Sequence, residues 1–249
     1  MTCRKFFGPL RAFSALRLIT VSAVVVFFIA LGSQAHPSTA MAADAGKAAE
    51  PVTAKAEKAL VRIDTNGSFV GVGVVVSANG HVLTSLQTAG NWTYAKFTVG
   101  DARVPAAVCG IDQAHGLALL CATATLGEPE TVASTRSPKD SPVTLIGYRR
   151  ISSEPPMVAK RKDDGTIANP TYVGESSDTL DLRDLMIVRM LHQGDIGAYT
   201  GSPVISSKTG EMEGFVIGHL QPRYDVSDLI VMPASVIRTF LQAKKVPLP

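Results

Sequence analysis

The sequence predicts an all-β protein, a sandwich or a barrel, finished by one short C-terminal helix. Three observations carry this. Short runs rich in Val, Ile and Leu recur from residue 60 to residue 232. Gly, Pro, Asn and Asp punctuate them, and helical periodicity of useful length appears only at the end. A chain of 249 residues allows one large domain or two small ones, with enough length for a sizeable core.

Leu60-Val61-Arg62-Ile63 alternates as a strand does, and residues 70–76 are dense in valine and glycine. Asn79-Gly80 separates that run from His81-Val82-Leu83-Thr84, predicting a hairpin with a type I′ turn, because both turn residues tolerate positive φ. Further strands are expected at 95–99, 104–111, 117–123, 143–148, 171–173, 185–190, 202–206, 213–219 and 229–232. Pro233 opens a helix over 234–244, with Val236, Ile237, Phe240 and Leu241 on one face. Residues 127–141, with Pro129, Pro138 and charges, read as the connection between two halves. No internal repeat is visible.

The first 35 residues have the order of a secretory signal. Arg4, Lys5, Arg11 and Arg17 carry positive charge without an acid, 18–31 is an uncharged apolar run, and Ser33-Gln34-Ala35 offers a small-x-small cleavage site. A second cut is available after Ala42. The 14-residue run is short against the roughly 20 residues of a membrane span. Export to the periplasm or medium is expected, with an uncleaved inner-membrane anchor as the alternative. Residues 36–58, rich in Ala, Lys, Glu and Pro, read as a disordered or weakly helical tether.

Removing the signal leaves 20 basic against 21 acidic residues. A nearly neutral chain argues against a nucleic-acid surface, which needs clustered Lys and Arg. Lys160-Arg161-Lys162 is followed at once by Asp163-Asp164 and reads as a solvated loop. Cys3 belongs to the signal. Cys109 and Cys121 remain as either one disulfide or two buried thiols. No Cys/His spacing suits zinc, so no metal or other cofactor is expected. Asn66-Gly67-Ser68 and Asn91-Trp92-Thr93 have sequon form, which matters only in a eukaryotic host.

Three segments carry a resemblance. The first runs Gly71-Val72-Gly73-Val74-Val75-Val76-Ser77-Ala78-Asn79-Gly80-His81-Val82-Leu83-Thr84-Ser85-Leu86-Gln87. The second is Gly110-Ile111-Asp112-Gln113-Ala114-His115-Gly116-Leu117-Ala118-Leu119-Leu120. The third is Ala198-Tyr199-Thr200-Gly201-Ser202-Pro203-Val204. In order and spacing they resemble the trypsin-like serine proteases, in the HtrA/Deg branch of the chymotrypsin fold, over residues 59–243. The resemblance implies two six-stranded Greek-key β-barrels, about 59–127 and 140–232, a helix at about 233–244, and a cleft between the barrels. With the chain stopping at Pro249, no PDZ domain is expected.

The same resemblance places the catalytic positions, and the triad is degenerate. Gln87 stands where the family has its histidine base, Gly116 where it has the orienting aspartate, and Thr200 where it has the serine nucleophile. Aligning Gly194-Asp195-Ile196-Gly197 instead puts Ile196 at the nucleophile, again without a serine. Ala198 replaces the glycine of the oxyanion turn. His115, one residue before the aspartate position, and His192, with Asp195, are the fallback bases for Thr200. His81 reads as a surface residue, Trp92 as packing, and His219 as the end of a strand of the second barrel.

A triad works because imidazole takes the proton from a hydroxyl and a carboxylate sets the imidazole's tautomer. An amide, a missing side chain and a β-branched hydroxyl cannot divide that work. The expectation is a catalytically inactive, exported pseudoprotease whose groove binds a peptide or exported-protein partner. The alternative is an active, divergent serine/threonine-type endopeptidase, and a third reading is an envelope protein whose groove binds nothing.

Overall fold

A computed structural model describes residues 51–90, 97–153, 156–174, 181–190, 199–220 and 227–249. The signal, the tether before residue 51, Trp92, His192, Asp195, Ile196 and Ala198 lie outside the described residues. Of residues 149–153, 156 and 157 only the backbone is described.

The helix α1 (Ala54–Ala59) leads into β1 (Leu60–Thr65), β2 (Ser68–Ser77), β3 (His81–Ser85), the single turn α2 (Leu86–Ala89), β4 (Phe97–Val99), β5 (Val104–Asp112) and β6 (Leu117–Ala122). These strands close into a barrel in the order β1-β2-β3-β6-β5-β4, antiparallel throughout, with β4 pairing back onto β1. The second barrel takes β7 (Pro142–Ser153), β8 (Pro156–Tyr172), β9 (Leu185–Met190), β10 (Pro203–Ser206), β11 (Met212–His219) and β12 (Ser227–Pro233) in the equivalent order, with β7 closing onto β10. The helix α3 (Ala234–Ala243) follows. Two closed six-stranded barrels and a C-terminal helix are the architecture that the resemblance implied.

Period-2 patterning explains why each sheet closes: one face of every strand is apolar and finds water-free cover only inside a barrel. One apolar cluster runs through the first barrel, the inter-barrel connection and α3, and includes Ile63, Leu83, Leu119, Val132, Phe215, Ile237 and Phe240. A second fills the other barrel with Leu145, Ile167, Met186, Val188, Tyr199, Val204 and Val231. In α3, Ile237, Phe240 and Leu241 are buried, as their spacing predicts, while Val236 packs partly buried against the first cluster.

Three expectations are corrected. The type I′ turn is not at Asn79-Gly80: there only Gly80 takes positive φ (+82°), its N–H donates to Ser77 O at 3.1 Å, and the loop is three residues long. It is Asn66 and Gly67, at φ +49° and +80°, that form a two-residue loop between the paired Thr65 and Ser68. Lys160 to Asp164 are not a loop but the middle of β8, a 17-residue strand of which the sequence showed only 171–173. Charges fill both faces of that run and hide its period. In the structure Lys160, Lys162 and Asp164 face solvent, while Arg161 turns inward and pairs with Asp163. Finally, the end of the expected tether is folded. Ala56 and Ala59 of α1 are buried, Lys55 Nζ donates to Thr131 Oγ1 at 2.6 Å, and Glu57 receives Lys160 and Lys162.

The connection between the barrels is threaded tightly. Glu130 N–H donates to Val75 O at 2.8 Å and Ala133 N–H to Met212 O at 3.0 Å, so the segment is held by both barrels. Glu130 itself is fully buried. One carboxylate oxygen accepts from Thr131 N–H at 2.8 Å, and burial pushes its pKa above the usual carboxylate value. Cys109 and Cys121 are joined by a disulfide across β5 and β6.

Candidate functional site

The first-barrel half of the site is the turn α2. Ser85 ends β3 in an extended conformation and caps α2: its Oγ accepts from Thr88 N–H at 3.0 Å and donates to Thr88 Oγ1 at 2.9 Å. Thr84 Oγ1 donates to Val72 O at 2.7 Å, tying the same segment to β2. Gly90 ends the turn. On this rigid corner Gln87 is presented to solvent. Its amide can donate and accept hydrogen bonds, but it has no basic nitrogen to take a proton at neutral pH.

The loop between β5 and β6 brings Gly116 to that corner, where its carbonyl accepts Leu86 N–H at 2.7 Å. Gly116 sits at φ +65°, in the left-handed region that glycine enters freely. The loop has a carboxylate of its own. Asp112 Oδ1 accepts His115 N–H at 3.1 Å, and Oδ2 lies 2.7 Å from His115 Nδ1, which fixes the half-buried imidazole. Asp181 N–H donates to Ala114 O at 2.6 Å and docks the segment before β9 on this loop. The hydrogen bonds from Arg183 hold the Asp181 carboxyl well below the usual range.

The second-barrel half is the turn Tyr199-Thr200-Gly201-Ser202. Gly201 N–H donates to Val216 O at 2.8 Å, and Ser202 N–H to Tyr199 O at 2.8 Å. Gly201 adopts φ +90°, and a Cβ there would lie 2.9 Å from Val72 O and 3.6 Å from Thr88 Oγ1. The turn therefore sits against β2 and α2, bringing half-buried Thr200 to the corner that bears Gln87. Below it Tyr199 is buried in the second core, with the Arg161 guanidinium 5.5 Å from its ring centre. Tyr199 Oη and Ser202 Oγ are buried without a hydrogen-bond partner among the described residues.

All three positions read from the resemblance thus gather at one inter-barrel corner. Of the fallback bases, His115 is engaged by Asp112, and among the described residues it makes no hydrogen bond to Thr200. His219 ends β11 exposed, and His81 begins β3, at the far end of that strand from Ser85. No cluster of three metal-ligating side chains occurs among the described residues. Sequence reasoning missed the Ser85–Thr88 pair, although a Ser directly before a helix start is a preferred N-cap. It missed Tyr199 too, whose neighbour Arg161 is 38 positions away and gave no local signal.

Residues 71–218 match the family model of the trypsin-like peptidase domain. No curated protein sequence matches the chain. Among solved structures, the inactive form of the Rv3671c protease is similar at 21% identity and TM-score 0.62, over 78% of this chain and 92% of that one. The MamO protease domain from Magnetospirillum magneticum is similar at 20% identity and TM-score 0.59, over 76% and 97%. The HtrA-type protease AlgW is similar at 14% identity and TM-score 0.56, over 78% and 66%. At these identities the likeness is one of fold.

Proposed function

The chain belongs to the trypsin-like peptidase family, and we propose that it is an exported member that does not cut peptide bonds and instead binds an extended peptide or an exported protein partner between its barrels. One observation carries the reading: the turns that hold a triad in this fold meet here bearing Gln87, Gly116 and Thr200. Gln87 cannot serve as the general base. Gly116 offers no carboxylate to orient a base. Thr200 keeps a hydroxyl, but its methyl restricts χ1 and crowds the path of attack. Loss of a whole triad costs about 10⁶-fold in turnover. The binding half of the reading rests on the cleft between the barrels that the resemblance implies, where an extended chain would lie along the turns that bear Gln87 and Thr200.

The second reading, a divergent active endopeptidase, draws on the Asp112–His115 pair, which orients an imidazole as a triad carboxylate does. A base must come within about 3 Å of the Thr200 hydroxyl to act.

Both readings meet one experiment. Wild type and Thr200→Ala are exposed to a fluorophosphonate probe and to casein, and neither labelling nor hydrolysis above blank is expected from either. Labelling or cleavage by wild type that vanishes in Thr200→Ala overturns the non-catalytic reading. A library of extended peptides tests the binding half. Bound sequences should be lost on Thr200→Arg with the circular dichroism spectrum unchanged, whereas no binding by wild type favours a purely structural role. The N-terminal sequence of the mature protein, starting at His36 or Ala43, checks export.

A further inference from the structure

Away from the inter-barrel corner, three chemically active side chains share adjacent strands of the first barrel. His81 on β3 stands directly opposite Cys121 on β6, and Cys121 is bonded to Cys109 on β5. Directly opposed residues bring their Cβ atoms to about 5 Å. Cys109 is the extra residue of a bulge between Val108 and Gly110, with no partner in the ladder. Such a residue bends its strand outward: Cys109 is exposed, and Cys121 is half-buried beneath it. The His81 ring is half-exposed, and its Nδ1 is buried without a hydrogen-bond partner. Ser85, at the corner of the candidate site, pairs with Leu117, and His81 pairs with Cys121 four positions along, or about 13 Å away at the rise of a strand.

We propose that the Cys109–Cys121 bond is a thiol–disulfide exchange site for a dithiol partner, with Cys109 the sulfur attacked, Cys121 the leaving sulfur and His81 its proton donor. Accessibility selects Cys109 as the electrophile, because the incoming thiolate must approach along the S–S axis from solvent. The partner's thiolate forms a new S–S bond to Cys109 Sγ. The Cys109–Cys121 bond breaks, its electron pair leaves on Cys121 Sγ, and protonated His81 delivers a proton there. The partner's second thiolate then attacks the partner sulfur of the mixed disulfide, and Cys109 departs as a thiolate. Two electrons pass to the chain, and the partner leaves as a disulfide. In the reduced protein the Cys121 thiol can return its proton to His81, and the imidazolium so formed favours the thiolate, which speeds the reverse reaction.

Two charged groups flank this face. The stem of Lys244, from the end of α3, lies against Gly110 beside Cys109, and its ammonium lies 5.9 Å from the Phe240 ring centre. Glu130 is tied to Val75, whose strand partner Val82 adjoins His81, and burial raises its pKa.

The test uses the full chain with dithiothreitol as the dithiol, read by alkylation and mass spectrometry. His81→Gln and His81→Asn are each expected to slow reduction about tenfold with folding unchanged by circular dichroism. In reduced wild type, the pH midpoint for Cys121 alkylation should lie below the roughly 8.5 of a free thiol, and both variants should return it there. With glutathione as a monothiol probe of the oxidised chain and rapid alkylation to trap the intermediate, the mixed disulfide should form at Cys109, leaving Cys121 as the free thiol. Equal reduction rates in all three proteins, or an alkylation midpoint that His81 does not move, overturns the proposal. So does preferential capture at Cys121. Where a His81 variant fails to fold, the wild-type midpoint decides alone.

Discussion

In the first-barrel half of the candidate site the polar groups satisfy one another: Ser85 caps α2 and bonds Thr88, Thr84 bonds Val72, and Gly116 takes the Leu86 N–H. In the second-barrel half, Tyr199 and Ser202 bury hydroxyls that have no partner among the described residues, and an arginine covers the tyrosine ring. An unpaired buried hydroxyl costs free energy that a paired one does not. The first half is therefore a closed, pre-set corner, and the second is the half with stability left to gain. The cores differ in the same way. The first barrel's cluster continues through the connection into α3 and up to Phe215, while the second barrel's interior forms a cluster by itself.

The largest expected effect tests that continuity. Phe215 is fully buried and pairs with Pro203 and Met232, yet it belongs to the cluster of the first barrel. Phe215→Ala should cost about 3–5 kcal/mol in urea unfolding. It should lower hydrogen-exchange protection in β3 and β6 as well as in β10 and β11. Loss confined to the second barrel breaks the comparison. Next in size, Ser85→Ala removes the cap of α2 and should cost about 1 kcal/mol, measured by the same unfolding curve. The smallest effect has the opposite sign. Tyr199→Phe deletes a partnerless hydroxyl and keeps the ring under Arg161, so it should leave stability unchanged or raise it by up to about 1 kcal/mol. A loss above that figure identifies a partner for Tyr199 Oη.

The first barrel was readable almost strand by strand because its runs are short, apolar and separated by turn residues. β8 was not, since Lys160 to Asp164 place charge on both faces and only partners on other segments, such as Glu57 and Thr53, show which way each side chain points. The turn type failed for a related reason. Asn79-Gly80 and Asn66-Gly67 carry the same dipeptide, and the strand register, a tertiary property, decided which became the two-residue loop. Gln87, Gly116 and Thr200 were legible as residues through the resemblance, but nothing local showed that Gly116 lies in the left-handed region or that Asp112 holds His115.

By itself the sequence determined the all-β class and the C-terminal helix, because hydrophobic period is a local quantity. Only the tertiary structure decided the pairing of Cys109 with Cys121, the folding of α1 onto the barrels and the meeting of the Thr200 turn with the Gln87 corner. Each of these depends on contacts between segments far apart in the chain, where close packing rather than local preference selects the arrangement.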